Sequence, residues 1–198
     1  MQKRSQETRA NILNAAQSLF AKNGYDATGV ADICQEAGVS KGSFYYHFPS
    51  KQALFLELLD EWLSGLDVQL NLLRQNDQSA PDSLIAMTSV LPLVFQSAGN
   101  HLQMFLEFWI QASRDATIWE ATIAPYHRYQ TLFASLIEEG ITEGSLEPVD
   151  TQITAQVIVS FAVGLLLQGL LDPQGADWEK VAKQGIQYLM DGITKSPK

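Results

Sequence analysis

The segment that most constrains the fold lies at residues 38–54 and reads GVSKGSFYYHFPSKQAL. Gly38 can end a helix in the left-handed conformation and Pro49 stops the next one, so the helix between them is limited to about eight residues. Ser40 is a typical N-cap for that helix. The residues before it carry one apolar helical stripe, formed by Val30, Ile33, Cys34 and Ala37. Two short helices joined by a glycine turn form a helix-turn-helix unit, which we predict at about residues 28–48.

Helical periodicity continues along the rest of the chain, and no alternating strand pattern is present. Ser5 is predicted to cap a first helix, Thr28 the second and Ser50 a long fourth one. Later helices are predicted to start at Asp82 and Asp115 and to be capped by Asp150 and Asp177. Pro125 is expected to kink or restart a later helix. The other predicted helices, bounded by caps, glycines and prolines, lie at about 6–23, 51–75, 82–97, 101–114, 115–144, 151–171 and 177–193.

These elements predict an all-α fold in two parts. A three-helix head at residues 5–65 is joined by the long fourth helix to a helical body at 66–198. The charge is divided in the same way, since residues 1–52 carry six Lys and Arg against four Asp and Glu, whereas the rest carries seven against eighteen. The head can therefore meet a polyanion although the net charge of the chain is −9.

The predicted third helix has an unusual outer face. Phe44 and Phe48 lie four residues apart and face the core, whereas a glycine and polar or aromatic side chains lie on and beside the opposite face. Those residues are Lys41, Gly42, Ser43, Tyr45, Tyr46 and His47. Together with the free N–H groups from Ser40 onward, they suit the phosphates and base edges of double-stranded DNA. A solvated polar face is the alternative.

The run from Gly38 to Leu54 resembles the DNA-binding domain of the TetR family of bacterial repressors. The resemblance covers about residues 5–60 and includes Ile12, Ala15, Ala16, Leu19, Phe20, Gly24, Tyr25, Thr28, Ile33 and Ala37. It implies that Lys41, Gly42 and Tyr45 lie toward base edges. It also implies that phosphates are held mostly by Thr28, Ser43, Tyr46, His47 and Lys51.

The chain departs from the family pattern at the start of the second helix. The frequent Thr-Thr pair is Thr28-Gly29 here, and position 31, which is basic in some members, is Ala31. These departures put base contacts from the second helix in doubt. Specificity would rest mainly on the third helix, with Lys3 and Arg4 as a candidate minor-groove arm.

The last two predicted helices are expected to form a homodimer. The family is dimeric, and residues 151–171 carry apolar side chains on two sides, which a single partner layer cannot cover. Residues 177–193 offer a second apolar stripe, so two such pairs can close a four-helix interface. Residues 153–171 approach the length of a membrane span, but polar side chains interrupt them, and we expect no membrane insertion.

A dense group of aromatic residues over 104–133 indicates a pocket for an apolar effector in the body. The best candidates for its lining are Phe105, Phe108, Trp109, Tyr126, His127 and Phe133. Trp109, Tyr126 and His127 each combine an apolar body with a polar tip. Plain core packing is the alternative for every one of these residues.

No group of residues indicates catalysis, a metal or a cofactor. The sequence has no nucleophile-base-acid set, no metal-ligand spacing and no glycine-rich phosphate loop, and Cys34 is its single cysteine. The N-terminus lacks the apolar run of a secretion signal, so a cytoplasmic location is expected. We expect a homodimeric transcriptional repressor that binds a palindromic DNA operator and is released by a small, largely apolar effector. A ligand-independent DNA-binding protein with a solid body is the alternative.

Overall fold

The structure, a computed structural model, describes residues 2–74, 79–90, 104 and 106–195. Within those ranges the single β-type pairing is an isolated bridge between Leu146 and Thr194. The all-α prediction is therefore confirmed. In chain order the helices are α1 (Gln2–Asn23), α2 (Val30–Ala37), α3 (Lys41–His47), α4 (Lys51–Arg74), α5 (Ala80–Ala86), α6 (106–112), α7 (Ala116–Glu143), α8 (Thr151–Leu171) and α9 (Trp178–Asp191).

The described chain forms two compact units. The first contains the residues up to Ser64 and those described between 104 and 122, and the second contains the remainder. The first stretch of the first unit ends at Ser64, one residue before the end predicted for the head at 5–65. However, α6, which was predicted to belong to the body, lies in the first unit. Periodicity predicts a helix but carries no information on which unit the helix joins.

The core of the first unit is aromatic. Phe20 and Phe55 are almost fully buried, and their ring centroids lie 5.4 Å apart. The ring centroid of Phe55 also lies 4.5 Å from that of Tyr25 and 4.2 Å from that of Phe108. The other large buried side chains of this unit include Ile12, Ile33, Phe44, Phe48, Leu54 and Leu58. This packing gives α2 and α3 a well-packed support.

Several helix ends follow the predicted caps. The Ser40 hydroxyl accepts the N–H of Ser43 at 3.1 Å at the start of α3. Gly38 ends α2 in the left-handed region, with a φ of 65°. The confirmed caps of later helices are Ser50, Asp115, Asp150 and Asp177.

Two of the first helices begin at positions other than those predicted. α1 begins at Gln2 and passes through Ser5, because the Gln, Lys and Arg residues before Ser5 favour helix. α2 is capped by Gly29 and not by Thr28. The backbone N–H of Gly29 donates to the Asp32 carboxylate at 2.8 Å, which completes the start of the helix.

Two predictions for later helices are also corrected. α5 begins at Ala80, with the Ser79 hydroxyl accepting the N–H of Asp82, so Asp82 lies inside the helix instead of capping it. A 3-10 turn follows over Met87–Ser89, and residues 91–97, where this helix was predicted to end, lie outside the described ranges. Pro125 lies inside one continuous helix, α7, and does not restart it.

In the second unit α8 and α9 approach each other closely. A Cβ added at Gly185 would collide with the Phe161 ring, so the glycine permits this approach. On its buried side α9 carries Ala182, Ile186 and Met190. Among the described helices, Thr151–Gly169 alone is long and apolar enough to cross a membrane by length and composition, and 28 % of it is buried.

Candidate nucleic-acid interface

α3 buries one face and presents the other to solvent. Phe44 is fully buried and Phe48 nearly so, which fixes the helix on the core. On the other side Tyr45 is 53 % exposed and Tyr46 is 80 % exposed. Ser40, Lys41 and Gly42 are also exposed, and Ser43 and His47 are half-buried. The predicted DNA-contacting residues from Ser40 to His47 are therefore all carried by α3 and its cap.

Gly42 has no packing role among the described residues. A Cβ added there would meet only the Ser40 hydroxyl oxygen, at 3.8 Å, which is an ordinary contact. Its φ is not in the left-handed region, so the backbone does not need glycine either. Glycine inside a helix costs about 1 kcal/mol relative to alanine. A glycine kept at an exposed helical position suits the close approach of another molecule.

Thr28 is placed differently from the residues of α3. Its side chain is 1 % exposed, and its hydroxyl donates to the carbonyl oxygen of Gly24 at 2.8 Å. Its backbone N–H lies 3.3 Å from the carbonyl oxygen of Tyr25 and donates to it. This placement argues against the predicted phosphate contact, because the hydroxyl is both buried and already bonded.

Lys51, the first residue of α4, reaches back to the turn between α1 and α2. Its ammonium donates to the carbonyl oxygens of Tyr25 at 2.8 Å and Thr28 at 3.0 Å, and it lies 4.1 Å from the centroid of the Tyr25 ring. Burial lowers the pKa of this ammonium, while the carboxylates of Asp26 and Glu107 act in the opposite direction. Sequence reasoning missed these contacts, because they join residues 26 and 23 positions apart.

The candidate minor-groove arm is helical in this structure. Lys3 and Arg4 belong to α1, and the Thr8 hydroxyl donates to the Arg4 carbonyl oxygen at 2.9 Å. An extended arm is therefore not seen in the described N-terminal residues. The second helix, α2, exposes Ala31, Asp32 and Glu36, so its outer surface carries carboxylates and offers little to a phosphate backbone.

The residues proposed for an effector pocket are divided between the two units. Phe108 and Trp109 lie in the first unit, whereas Phe105 lies outside the described residues. Phe108 is 3 % exposed and packs on Phe55, so it is a core residue of the first unit. This packing favours the alternative of plain core packing for Phe108, and its role as pocket lining stays a prediction.

The remaining candidates lie on α7 in the second unit. Tyr126 and Phe133 are half-buried, seven residues apart on one face of the helix, and His127 is exposed. Tyr129 shares that face and belongs to the aromatic group over 104–133, although it is not among the best candidates predicted from the sequence. Its hydroxyl is buried beside the Asp67 carboxylate and the Arg128 guanidinium, and burial, followed by Asp67, raises its pKa.

Metal-binding and reactive-thiol chemistry find no support in the described ranges. They contain no group of three or more His, Cys, Asp or Glu side chains that could hold a metal ion. Cys34 is buried, and burial raises the pKa of its thiol. A reactive cysteine needs the opposite conditions, namely exposure and a lowered pKa.

Two protein-family models match the chain. The model described as bacterial regulatory proteins of the tetR family matches residues 12–58, which include α2, α3 and the start of α4. The model described as BetI-type transcriptional repressor, C-terminal, matches residues 86–194, which is more than half of the chain.

Individual proteins match over nearly the whole length. The transcriptional regulator UidR of Escherichia coli (strain K12) is 25 % identical over 195 residues, covering 98 % of this chain and 96 % of UidR. A transcriptional regulator from Saccharomonospora viridis, solved in complex with choline, matches with a TM-score of 0.80 at 23 % identity over 96 % of this chain and 100 % of that one. FadR from Bacillus subtilis, solved in complex with stearoyl-CoA, has a TM-score of 0.80 at 20 % identity over 93 % and 98 % of the two chains. At these identities the solved structures show a shared fold.

Proposed function

The chain belongs to the TetR family of bacterial regulatory proteins and is a DNA-binding transcriptional regulator, and from that premise we propose that it acts as a cytoplasmic homodimeric repressor. It binds a palindromic operator through α3 and is released by a small, largely apolar effector. The observation that carries the proposal is the outer face of α3, where Lys41, Tyr45 and Tyr46 are exposed around Gly42. The packing of the described residues does not require a glycine at that position.

In this proposal α3 enters the major groove. Lys41, Gly42 and Tyr45 lie toward base edges, and Ser43, Tyr46 and His47 lie toward phosphates. The N–H groups behind the Ser40 cap add a site for an anion at the start of the helix. A two-fold dimer would present two such helices to half-sites about 34–36 Å apart, which is one turn of DNA.

The dimer is supported by apolar side chains that one chain leaves exposed on α8 and α9. Ile153 is 59 % exposed, Val157 is 44 % exposed and Tyr188 is 70 % exposed. The apolar helix that carries the first two has 28 % of its span buried within the chain. A second copy that packs α8 and α9 on their counterparts would remove this apolar surface from water.

An effector is supported by the half-buried aromatic residues of α7 and by related proteins. The Saccharomonospora viridis regulator was solved with choline and FadR with stearoyl-CoA, so this fold can hold ligands. On α7, Tyr126, Tyr129 and Phe133 share one face. The operator is released through a population shift. The effector binds more tightly to a conformation in which the distance between the two α3 helices no longer matches the spacing of the operator half-sites. α4 contributes residues to both units and is the candidate carrier of that change.

The operator proposal is tested by mapping bound DNA across the host genome and then titrating the recovered operator in solution. Tyr45→Ala and Lys41→Ala should each weaken binding by about 1–3 kcal/mol, or about 5- to 150-fold, if the residue contacts a base. Trp119→Ala is the matched control, because this aromatic side chain is 52 % exposed and lies outside α3. Unchanged operator binding by both α3 variants would remove the assignment.

The effector proposal is tested on the same operator complex. Small, largely apolar compounds are first screened for a rise in the melting temperature of the free protein, since a ligand of the folded state stabilises it. A stabilising compound should then dissociate the operator complex, and Tyr126→Ala or Phe133→Ala should weaken that response without weakening operator binding. A protein whose operator affinity no compound changes would fit a ligand-independent DNA-binding protein instead.

A further inference from the structure

Lys51 differs from the other lysine of the candidate interface, because its ammonium is directed into the protein. It donates to the carbonyl oxygens of Tyr25 at 2.8 Å and Thr28 at 3.0 Å, which occupies two of the three N–H donors of an ammonium. The exposed Lys41 has no such contacts with the turn. We infer that Lys51 is a positioning residue, which holds the turn before α2 against the start of α4, and that it is not a phosphate ligand. The inference rests on the proposed function, since the turn matters through the DNA-binding surface that it supports.

The turn that Lys51 holds determines where α2 begins. It runs from Gly24, whose φ of 83° ends α1, to Thr28, which directly precedes the Gly29 cap of α2. The Thr28 hydroxyl closes the turn by donating to the Gly24 carbonyl oxygen at 2.8 Å. Lys51 adds the bonds that connect this closed turn to another helix. A turn without them would be tied to α4 by apolar packing alone.

The Tyr25 ring is the second part of the connection. The Lys51 ammonium lies 4.1 Å from its centroid, and the Phe55 ring centroid lies 4.5 Å from it. Lys51 and Phe55 are four residues apart and share one face of α4. The first five residues of α4 therefore contact the Tyr25 ring through a cation and an aromatic ring. A displacement of the start of α4 should move the turn and, with it, the start of α2.

A phosphate contact by Lys51 would have to replace these bonds. Each joins a charged donor to a backbone carbonyl, and such bonds are among the stronger ones in proteins. Burial lowers the pKa of this ammonium, and the carboxylates of Asp26 and Glu107 offset part of that effect. Both facts assign Lys51 to the interior of the protein.

The test compares Lys51→Met with Lys41→Met in the full-length protein. Both substitutions remove an ammonium and keep a similar side-chain length. In the DNA-free protein, Lys51→Met should speed hydrogen exchange of the amides at residues 24–29 by about tenfold, and Lys41→Met should leave those amides unchanged. On the operator, Lys51→Met should lower affinity while keeping the wild-type slope of log K against log salt. A slope that falls by about 0.9 for each subunit, with unchanged exchange at the turn, would show a phosphate ligand and overturn the inference.

Lys51→Arg covers the case in which Lys51→Met does not fold. Arginine binds a phosphate at least as well as lysine. However, its planar guanidinium does not match the position of a single nitrogen that donates to two carbonyl oxygens above an aromatic ring. Faster exchange at residues 24–29 with a wild-type salt slope supports the positioning role. Wild-type exchange together with wild-type operator affinity overturns it. If the unmodified protein bound no duplex, the proposed function would fail, while the exchange result in DNA-free protein would still stand.

Discussion

Phe108 packs its ring against that of Phe55, with the two centroids 4.2 Å apart. The contact joins α6 to α4 although 53 positions separate the two residues in the chain. Through Phe55 it also joins the cluster that contains Tyr25 and Phe20. In the first unit, therefore, α6 is part of the aromatic core that also contains α1 and α4.

Phe108→Ala should destabilise the protein by about 3–5 kcal/mol, because it empties a ring-sized volume in a packed core. Denaturant unfolding measures this loss. Ile110→Ala is the matched control on the same helix, because Ile110 is 46 % exposed. This substitution should lower the free energy of unfolding by about 0.5–1 kcal/mol at most. Equal losses for the two variants would contradict the core assignment of Phe108.

Gly140→Ala should destabilise the second unit by about 1–3 kcal/mol through overpacking. A Cβ at this position would lie 2.6 Å from Cδ1 of Leu146 and 2.9 Å from Cβ of Ala80. Gly65→Ala is the control, because a Cβ there meets nothing within 4 Å and alanine favours the helix. Thermal unfolding should show the two substitutions acting in opposite directions, and a stabilised Gly140→Ala variant would refute the packing described.

Glu143 should make stability depend on pH. Its carboxylate accepts the N–H of Ala80 at 3.0 Å and the hydroxyl of Ser145 at 2.7 Å, and these bonds, the first above all, lower its pKa from the ordinary 4.5. A lowered folded-state pKa means that the contribution is present above pH 4.5 and is lost as the pH falls through the folded-state value. Wild type should therefore exceed Glu143→Gln in urea stability at pH 7, by a margin that shrinks in acid. Glu138→Gln is the control on the same helix, and a margin that stays constant from neutral to acid pH would contradict the prediction.

Val157→Asp should convert the proposed dimer to a monomer and abolish tight operator binding. The substitution places a charge on the exposed apolar face of α8, where a dimer would bury it without a partner. Analytical ultracentrifugation measures the state of assembly. Ala124→Asp puts the same charge on an exposed position of α7 and should remain dimeric. A dimeric Val157→Asp protein would place the interface elsewhere.

The sequence alone determined the features that depend on neighbouring residues. Helical periodicity, the Ser40 and Ser50 caps and the left-handed Gly38 are local, so they predicted the all-α fold and the exposed face of α3. The family resemblance at residues 5–60 rested on the same ordered local pattern and is confirmed by the family-model match over 12–58.

Tertiary structure alone decided which side chains are used inside the protein. Thr28 and Lys51 match the family pattern by position, yet one is buried and the other bonds the carbonyls of a distant turn. Phe108 is predicted to line a pocket, and only the tertiary structure shows that its ring packs against Phe55. These outcomes depend on distances between residues far apart in the chain. A hydrophobic or charged side chain has the same local pattern whether it meets a ligand, DNA or its own core, and packing decides among them.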